Sequence, residues 1–194
     1  MPDGIRFRQE LARKAIHLLS VFLGIAVFLF DGDILVRIFI GLGLLLPTLD
    51  FGRLHTQLFR KIFEFFFGYV ARPHERGAIT GASYVFIAAA IVVVLFDTTA
   101  AGTGLLFMSI GDSFAAIFGE KYGKTKIGRK SLEGTLAFII SCILIVVFVP
   151  GLNLYIGIFV AVLAALIELI PIRPFNDNLV IPIVSAFLIQ ILGG

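Results

Sequence analysis

The chain reads as an all-α polytopic membrane protein: about seven transmembrane helices and one amphipathic helix along the cytosolic surface, forming a single integral membrane domain over residues 1–194. Three observations predict this. Hydrophobic residues make up 59% of the sequence and charged residues 15%, against roughly 45–50% and about 25% in soluble domains. The mean hydropathy is +1.03, and the apolar residues gather in long runs separated by short polar turns. When those runs are threaded through a bilayer, fifteen of the sixteen Lys and Arg residues fall on one side.

A helix crossing roughly 30 Å of hydrocarbon needs about 20 residues, fewer where flanking side chains reach the interface. The first run, Leu11–Phe30, leads into Asp31-Gly32-Asp33 rather than a small-residue cleavage site, so it reads as a retained helix. The second is Ile34–Leu49. In the following stretch, Gly52–Gly77, Arg53, Gln57, Arg60, Lys61 and Glu64 recur on one helical face, with Leu54, Leu58, Ile62, Phe63, Phe66 and Tyr69 opposite. That pattern predicts a helix lying in the interface. Ala78–Phe96, Thr98–Gly119, Leu132–Val149, Leu152–Ile170 and Leu179–Leu192 complete the set. Pro171 and Pro174 mark a stiff turn, and Pro182 falls in the first turns of the last span, where a missing amide is tolerated. The lone Cys142 lies inside an apolar run and excludes an internal disulfide framework.

The charge split orients the chain in a cytoplasmic or equivalent membrane with its N-terminus in the cytosol and its C-terminus outside. Arg37 is the one cation on the far side, where Asp31, Asp33 and Asp97 also lie. The basic loops therefore face the cytosol, where nucleoside triphosphates are available. No nucleic-acid partner is expected.

The chemistry concentrates around Asp112, in the stretch Gly111-Asp112-Ser113-Phe114-Ala115. A carboxylate on a membrane helix is expensive and functional by default. Gly111, Ala115 and Gly119 recur every four residues, a small face that lets another helix approach closely. Asp112 lies one position round from that face and suits magnesium, which one or two carboxylates and a substrate's phosphates commonly hold. Downstream come Lys121, Lys124, Lys126, Gly128, Arg129 and Lys130, then Ser131 and Glu133 at the start of a helix. Ser131 can cap that helix, and a helix start beside a basic, glycine-punctuated loop is a ready anion site. Gly123-Lys124-Thr125 is not a P-loop: three residues separate Gly119 from Gly123 where that motif needs four, and no strand precedes it.

Further polar residues gather at the same membrane face. Arg13, Lys14 and His17 share one turn at the cytosolic end of the first span. Glu75 and Arg76 precede the third, Glu168 ends the sixth, and Asp177 and Asn178 open the seventh. His17, Glu75, Asp112, Glu133, Glu168 and Asp177 thus share one face, which scattered structural residues would not. Asp50 is cytosolic too, but nothing near it in sequence adds a role.

These patches resemble the family of CTP-dependent lipid-alcohol kinases that includes dolichol kinase, phytol kinase and the yeast-type diacylglycerol kinase. Arg13-Lys14-x-x-His17 is similar to the motif on that family's first core helix. Gly111-Asp112-Ser113-x-Ala115 with Gly119-x-x-x-Gly123 is similar to its central signature. Lys130-Ser131-x-Glu133-Gly134-Thr135 resembles the segment associated with nucleotide binding, and Glu168 with Asp177-Asn178-Leu179 resembles its C-terminal acidic patch. The resemblance implies transfer of the CTP γ-phosphate to a lipid hydroxyl with a divalent metal, Mg²⁺ or another. The lipid would be a polyprenol or dolichol, phytol, geranylgeraniol or diacylglycerol; the resemblance does not choose among them.

The residues themselves suit phosphoryl transfer, which needs positioned phosphates, neutralised charge and a carboxylate for the attacking hydroxyl. Gly119, Gly123, Lys124, Lys126, Gly128, Lys130 and Ser131 are the candidates for holding the nucleotide. Asp112, Glu133, Glu168 and Asp177 would divide metal binding and base work, with Asp112 and Asp177 as the metal candidates. Two alternatives use the same residues differently. A CDP-lipid-forming cytidylyltransferase would release pyrophosphate rather than CDP. A small transporter would place its acids at the bilayer midplane in two related halves, and no half-repeat is present.

Overall fold

The computed structural model of the chain describes residues 3–69, 71, 77–170 and 176–193, with side chains from Leu11 onward. The helices are α1 (Asp3–Leu18), α2 (Val21–Leu29), α3 (Gly32–His55), α4 (Gln57–Phe67), α5 (Gly81–Leu95), α6 (Thr98–Leu106), α7 (Asp112–Tyr122), α8 (Leu132–Phe148), α9 (Leu154–Leu169) and α10 (Asp177–Leu192). A π-helical turn, Phe107–Gly111, joins α6 to α7 without a break. Between α7 and α8 a small antiparallel ribbon pairs β1 (Lys126–Ile127) with β2 (Lys130–Ser131), Lys126 opposite Ser131 and Ile127 opposite Lys130.

The bundle is built round the continuous helix Thr98–Tyr122. Every residue from Ala100 to Ser109 is buried, so this helix is covered on all sides in its middle. It packs against α2 and α10 along α6, against α8 along the π turn and α7, and against α1 at the start of α7. A second contact sets α3 against α5, and α9 and α10 close the far side. Phe107, Met108, Phe138, Ile181 and Ile189 fill the centre. Helix starts are satisfied locally, as a low-dielectric medium demands: Asp31, Asp97, Ser131, Asn153 and Asn176 each accept backbone amides of α3, α6, α8, α9 and α10.

Three stretches are long and apolar enough to cross a membrane by length and composition: Leu11–Leu29, Gly32–His55 and Thr98–Tyr122. Helices α5, α8, α9 and α10 are apolar but have only 15 to 17 residues, about 23–26 Å at 1.5 Å per residue. All seven apolar segments expected from the sequence are helical, five of them within three residues of their predicted bounds.

Some boundaries differ for identifiable reasons. The first segment begins earlier and tightens at Leu19–Ser20, where amides bond three residues back and Ser20 Oγ donates to His17 O at 2.6 Å. Pro47 does not end the second: α3 runs on to His55. The amphipathic helix is correspondingly shorter, limited to Gln57–Phe67, and none of its residues is buried. Arg53, predicted on its polar face, instead lies in the last turn of α3, buried against Asp50 with its guanidinium 4.2 Å above the Phe63 ring.

Candidate active site

Lys14 and His17 stand one helical turn apart on α1, so both side chains reach the same neighbour. That neighbour is Asp112, the first residue of α7. Lys14 Nζ donates to the Asp112 carboxylate and, at 3.2 Å, to the Asp112 carbonyl. His17 Nε2 lies 3.4 Å from Asp112 Oδ2 and 3.4 Å from Met108 O. The π turn presents that carbonyl, which also accepts the Asp112 amide; π turns often sit where a helix must aim a functional side chain. One turn deeper the Ser20 and Ser109 hydroxyls pair at 2.7 Å. Lys14 is 4% and Asp112 8% exposed, so this ion pair lies in the protein interior.

The small face of α7 does what its spacing predicts. A side chain at Gly111 would strike Phe138 and Cys142, and one at Gly134 would strike the Ala115 carbonyl, so α7 and α8 touch nearly backbone to backbone. Gly119 and Gly123 leave room for the Ser131 hydroxyl, which caps α8 by accepting the Gly134 amide at 3.2 Å. The ribbon turns on Gly128, whose φ of 60° only glycine adopts freely. Glu133 fastens it: both carboxylate oxygens accept the Thr125 amide, at 3.0 and 3.2 Å, while the Leu132 amide donates to Thr125 O.

This folding brings Lys130 to the ends of α9 and α10. Its ammonium is 2.5 Å from Glu168 Oε1 and 3.1 Å from Asp177 Oδ2. Burial disfavours its charge, but Glu168, Asp177 and Asp112 outweigh burial and hold its pKa above the usual lysine range. Asp112 thus feels Lys130 as well as Lys14, and the two ion pairs form one electrostatic network. Glu168 is 2% exposed, and its second oxygen, Oε2, is buried with no hydrogen-bond partner among the described residues. Lys124, Lys126 and Arg129 differ from Lys130: all three are exposed at the rim. Among the described residues no three His, Cys, Asp or Glu side chains form a metal-binding group; Asp112 and Asp177, the two metal candidates, each face a lysine.

No family model matches the chain, and no solved structure matches it. An uncharacterized protein of Methanocaldococcus jannaschii is 33% identical over 189 residues, 94% of this chain and 93% of that one. Dolichol kinase of Schizosaccharomyces pombe is 30% identical over 198 residues, 93% of this chain, which spans 39% of that protein's length. CTP-dependent diacylglycerol kinase 1 of the same yeast is 28% identical over 215 residues, 95% of this chain and 94% of that one. The chain belongs to the lipid-alcohol kinase family.

In this member of the lipid-alcohol kinase family the remaining candidates divide. Arg13 is half-buried and acts electrostatically on His17. Asn178 donates from Nδ2 to Gly81 O at 3.1 Å, tying the start of α10 to that of α5 beside the site. Glu75 and Arg76 lie outside the described residues. Asp50, whose sequence neighbours suggest no role, is a polar hub. Its oxygens accept from Arg53 Nε at 2.7 Å, the Thr80 amide at 2.8 Å and the Thr80 and Ser83 hydroxyls at 2.7 and 2.6 Å. The local clue was Arg53 at i+3; the other partners lie thirty residues on.

Proposed function

We propose that this chain is a lipid kinase that transfers the γ-phosphate of CTP to the hydroxyl of a membrane lipid alcohol, working at the cytosolic face of a seven-span protein. The observation that carries it is the Lys130–Glu168–Asp177 cluster lying within electrostatic reach of the Lys14–Asp112 pair. The CTP-dependent diacylglycerol kinase among the relatives supports CTP as donor, and the one-sided distribution of Lys and Arg supports the cytosolic site.

In the reaction the lipid oxygen attacks the γ-phosphorus, the bond from γ-phosphorus to the β,γ-bridging oxygen breaks, CDP leaves, and the hydroxyl proton passes to a carboxylate. Lys130 is placed to neutralise phosphate charge, held at its position by two anions. Lys124, Lys126 and Arg129 draw the nucleotide to the rim. Gly119, Gly123 and Gly128 keep the ribbon close to the capped start of α8, where free amides favour an anion. Ser131 orders those amides.

Among the described residues no three carboxylates converge into a cation site of their own, so a divalent cation would be held by one or two of them together with the nucleotide's phosphates. Asp112 and Asp177 are the residues that would hold magnesium with those phosphates, and the ion would supply charge neutralisation on the transferring phosphoryl group.

The test is incubation of the purified protein with γ-labelled CTP, Mg²⁺ and a panel of dolichol, phytol, geranylgeraniol and diacylglycerol. Label on the lipid with release of CDP is the expected result. Pyrophosphate release with a CDP-lipid product would instead establish a cytidylyltransferase and overturn the proposal.

A further inference from the structure

Helices α2 and α8 both pack on the central helix, α2 along α6 and α8 along the π turn and α7. Between them runs an apolar groove of about 760 Å³, within the roughly 300–1,000 Å³ of sites that hold one small ligand. One wall is a stripe on α8, Leu136, Ile140, Leu144 and Phe148, spaced every four residues and exposed. The facing wall carries Ile25 of α2, and Phe114 and Phe118 of α7 line the end near the ribbon. The groove follows α8 from Glu133 to beyond Phe148, about 25 Å at 1.5 Å per residue. Among the described residues Glu133 is the only charged one lining it, three positions from Lys130 and bonded to the ribbon at Thr125.

We propose that this groove holds the hydrocarbon chain of the lipid-alcohol substrate, a single long chain, and delivers its hydroxyl to Glu133 at the mouth of the ribbon; this deepens the lipid-kinase reading and rests on it. Charge selects the occupant. Any bilayer lipid can wet an apolar wall, but the charged group that its polar end meets among the described lining residues is the Glu133 carboxylate, an acceptor. An alcohol brings a neutral donor that the carboxylate accepts. Because the groove is one channel along one helix, chain length is read by the α8 stripe, and Leu144, about 16 Å from Glu133, is where a longer chain must pass.

The experiment compares turnover of geranylgeraniol with that of geraniol, whose chain is half as long, in the full-length protein. Leu144→Trp should lower the long-to-short ratio at least tenfold. Leu166→Trp, the same change at an exposed α9 position outside the groove, should leave the ratio unmoved. An unchanged ratio in Leu144→Trp would overturn the groove assignment. Photolabelling of the wild type with a benzophenone-tailed prenol adds a readout that needs neither turnover nor a folded variant. Label should concentrate on peptides of α2 and α8, and label spread equally over α9 and α10 would overturn the proposal. Should the wild type phosphorylate no alcohol while the probe still marks α2 and α8, the kinase reading fails and the lipid site stands.

Discussion

Lys14 of α1 and Asp112 of α7, 98 positions apart, form a buried ion pair in which the lysine also holds the Asp112 backbone carbonyl. From the sequence alone, Asp112→Asn, which keeps the shape and removes the charge, is expected to abolish activity with little loss of folding. The Lys14 partner changes that expectation. Removing one member of a buried pair strands the other charge, at about 3–5 kcal/mol. Asp112→Asn should therefore lose both activity and thermal stability, while Lys14→Met/Asp112→Asn should regain stability and stay inactive. Melting in detergent beside lipid phosphorylation checks this; a double variant as unstable as the single one would show that the pair is not what holds α1 to α7.

Lys130→Met should reduce turnover at least tenfold and leave the protein inserted. The pH dependence has a definite sign. The folded-state pKa of Lys130 is raised, so its stabilisation is complete below the unfolded value of about 10.4 and disappears as pH rises through the folded one. The melting difference between wild type and Lys130→Met should stay flat from about pH 7 to 9 and shrink only above that. A difference that grew with alkalinity would contradict the pairing with Glu168 and Asp177.

How legible the site was depended on whether its partners are local. The spacing of Gly111, Ala115 and Gly119 announces a close helix contact, and α8 meets that face. Ser131 announces a cap and provides it. Lys14 reads in sequence as a cation reaching toward the interface, because nothing within a turn or two shows that the π turn will bring Asp112 to it. The amphipathic face was phased correctly but begun too early, since Arg53 fits the helical period while its charge is committed to Asp50 on the preceding helix.

Asp50→Asn is expected to cost about 3–5 kcal/mol, because it leaves the Arg53 guanidinium buried beside a neutral partner. Activity per folded molecule should be unchanged, in contrast to substitutions around Lys130. A lower kcat in fully folded Asp50→Asn protein would bring this hub into the site.

Gly134→Ala should destabilise by about 1–3 kcal/mol. The added methyl would lie 2.6 Å from the Ala115 carbonyl and 3.2 Å from Gly119 Cα, and backbone cannot step aside as a flexible side chain can. Melting temperature is the readout, with Gly41→Ala, which meets nothing within 4 Å, as the comparison. Equal effects at the two positions would refute the close approach of α7 and α8.

The proposed topology, seven spans with the N-terminus inside, would place the C-terminus outside. Gly194→Cys in the otherwise accessible protein should react with an impermeant thiol reagent from the exterior only. Labelling from the cytosolic side would change the span count and remove the Lys and Arg residues from a common face.

The extra residue of the π turn at Phe107–Gly111 sets an angular phase along the central helix. One residue beyond an α-helical register rotates everything downstream by roughly 100°. Upstream, α6 keys into α2 and α10; downstream, Asp112 points to Lys14 and the glycine face points to α8. The turn therefore works as a fixed clutch between two sectors of one rod. Shortening it by one residue would swing the carboxylate and the glycine face off their targets together.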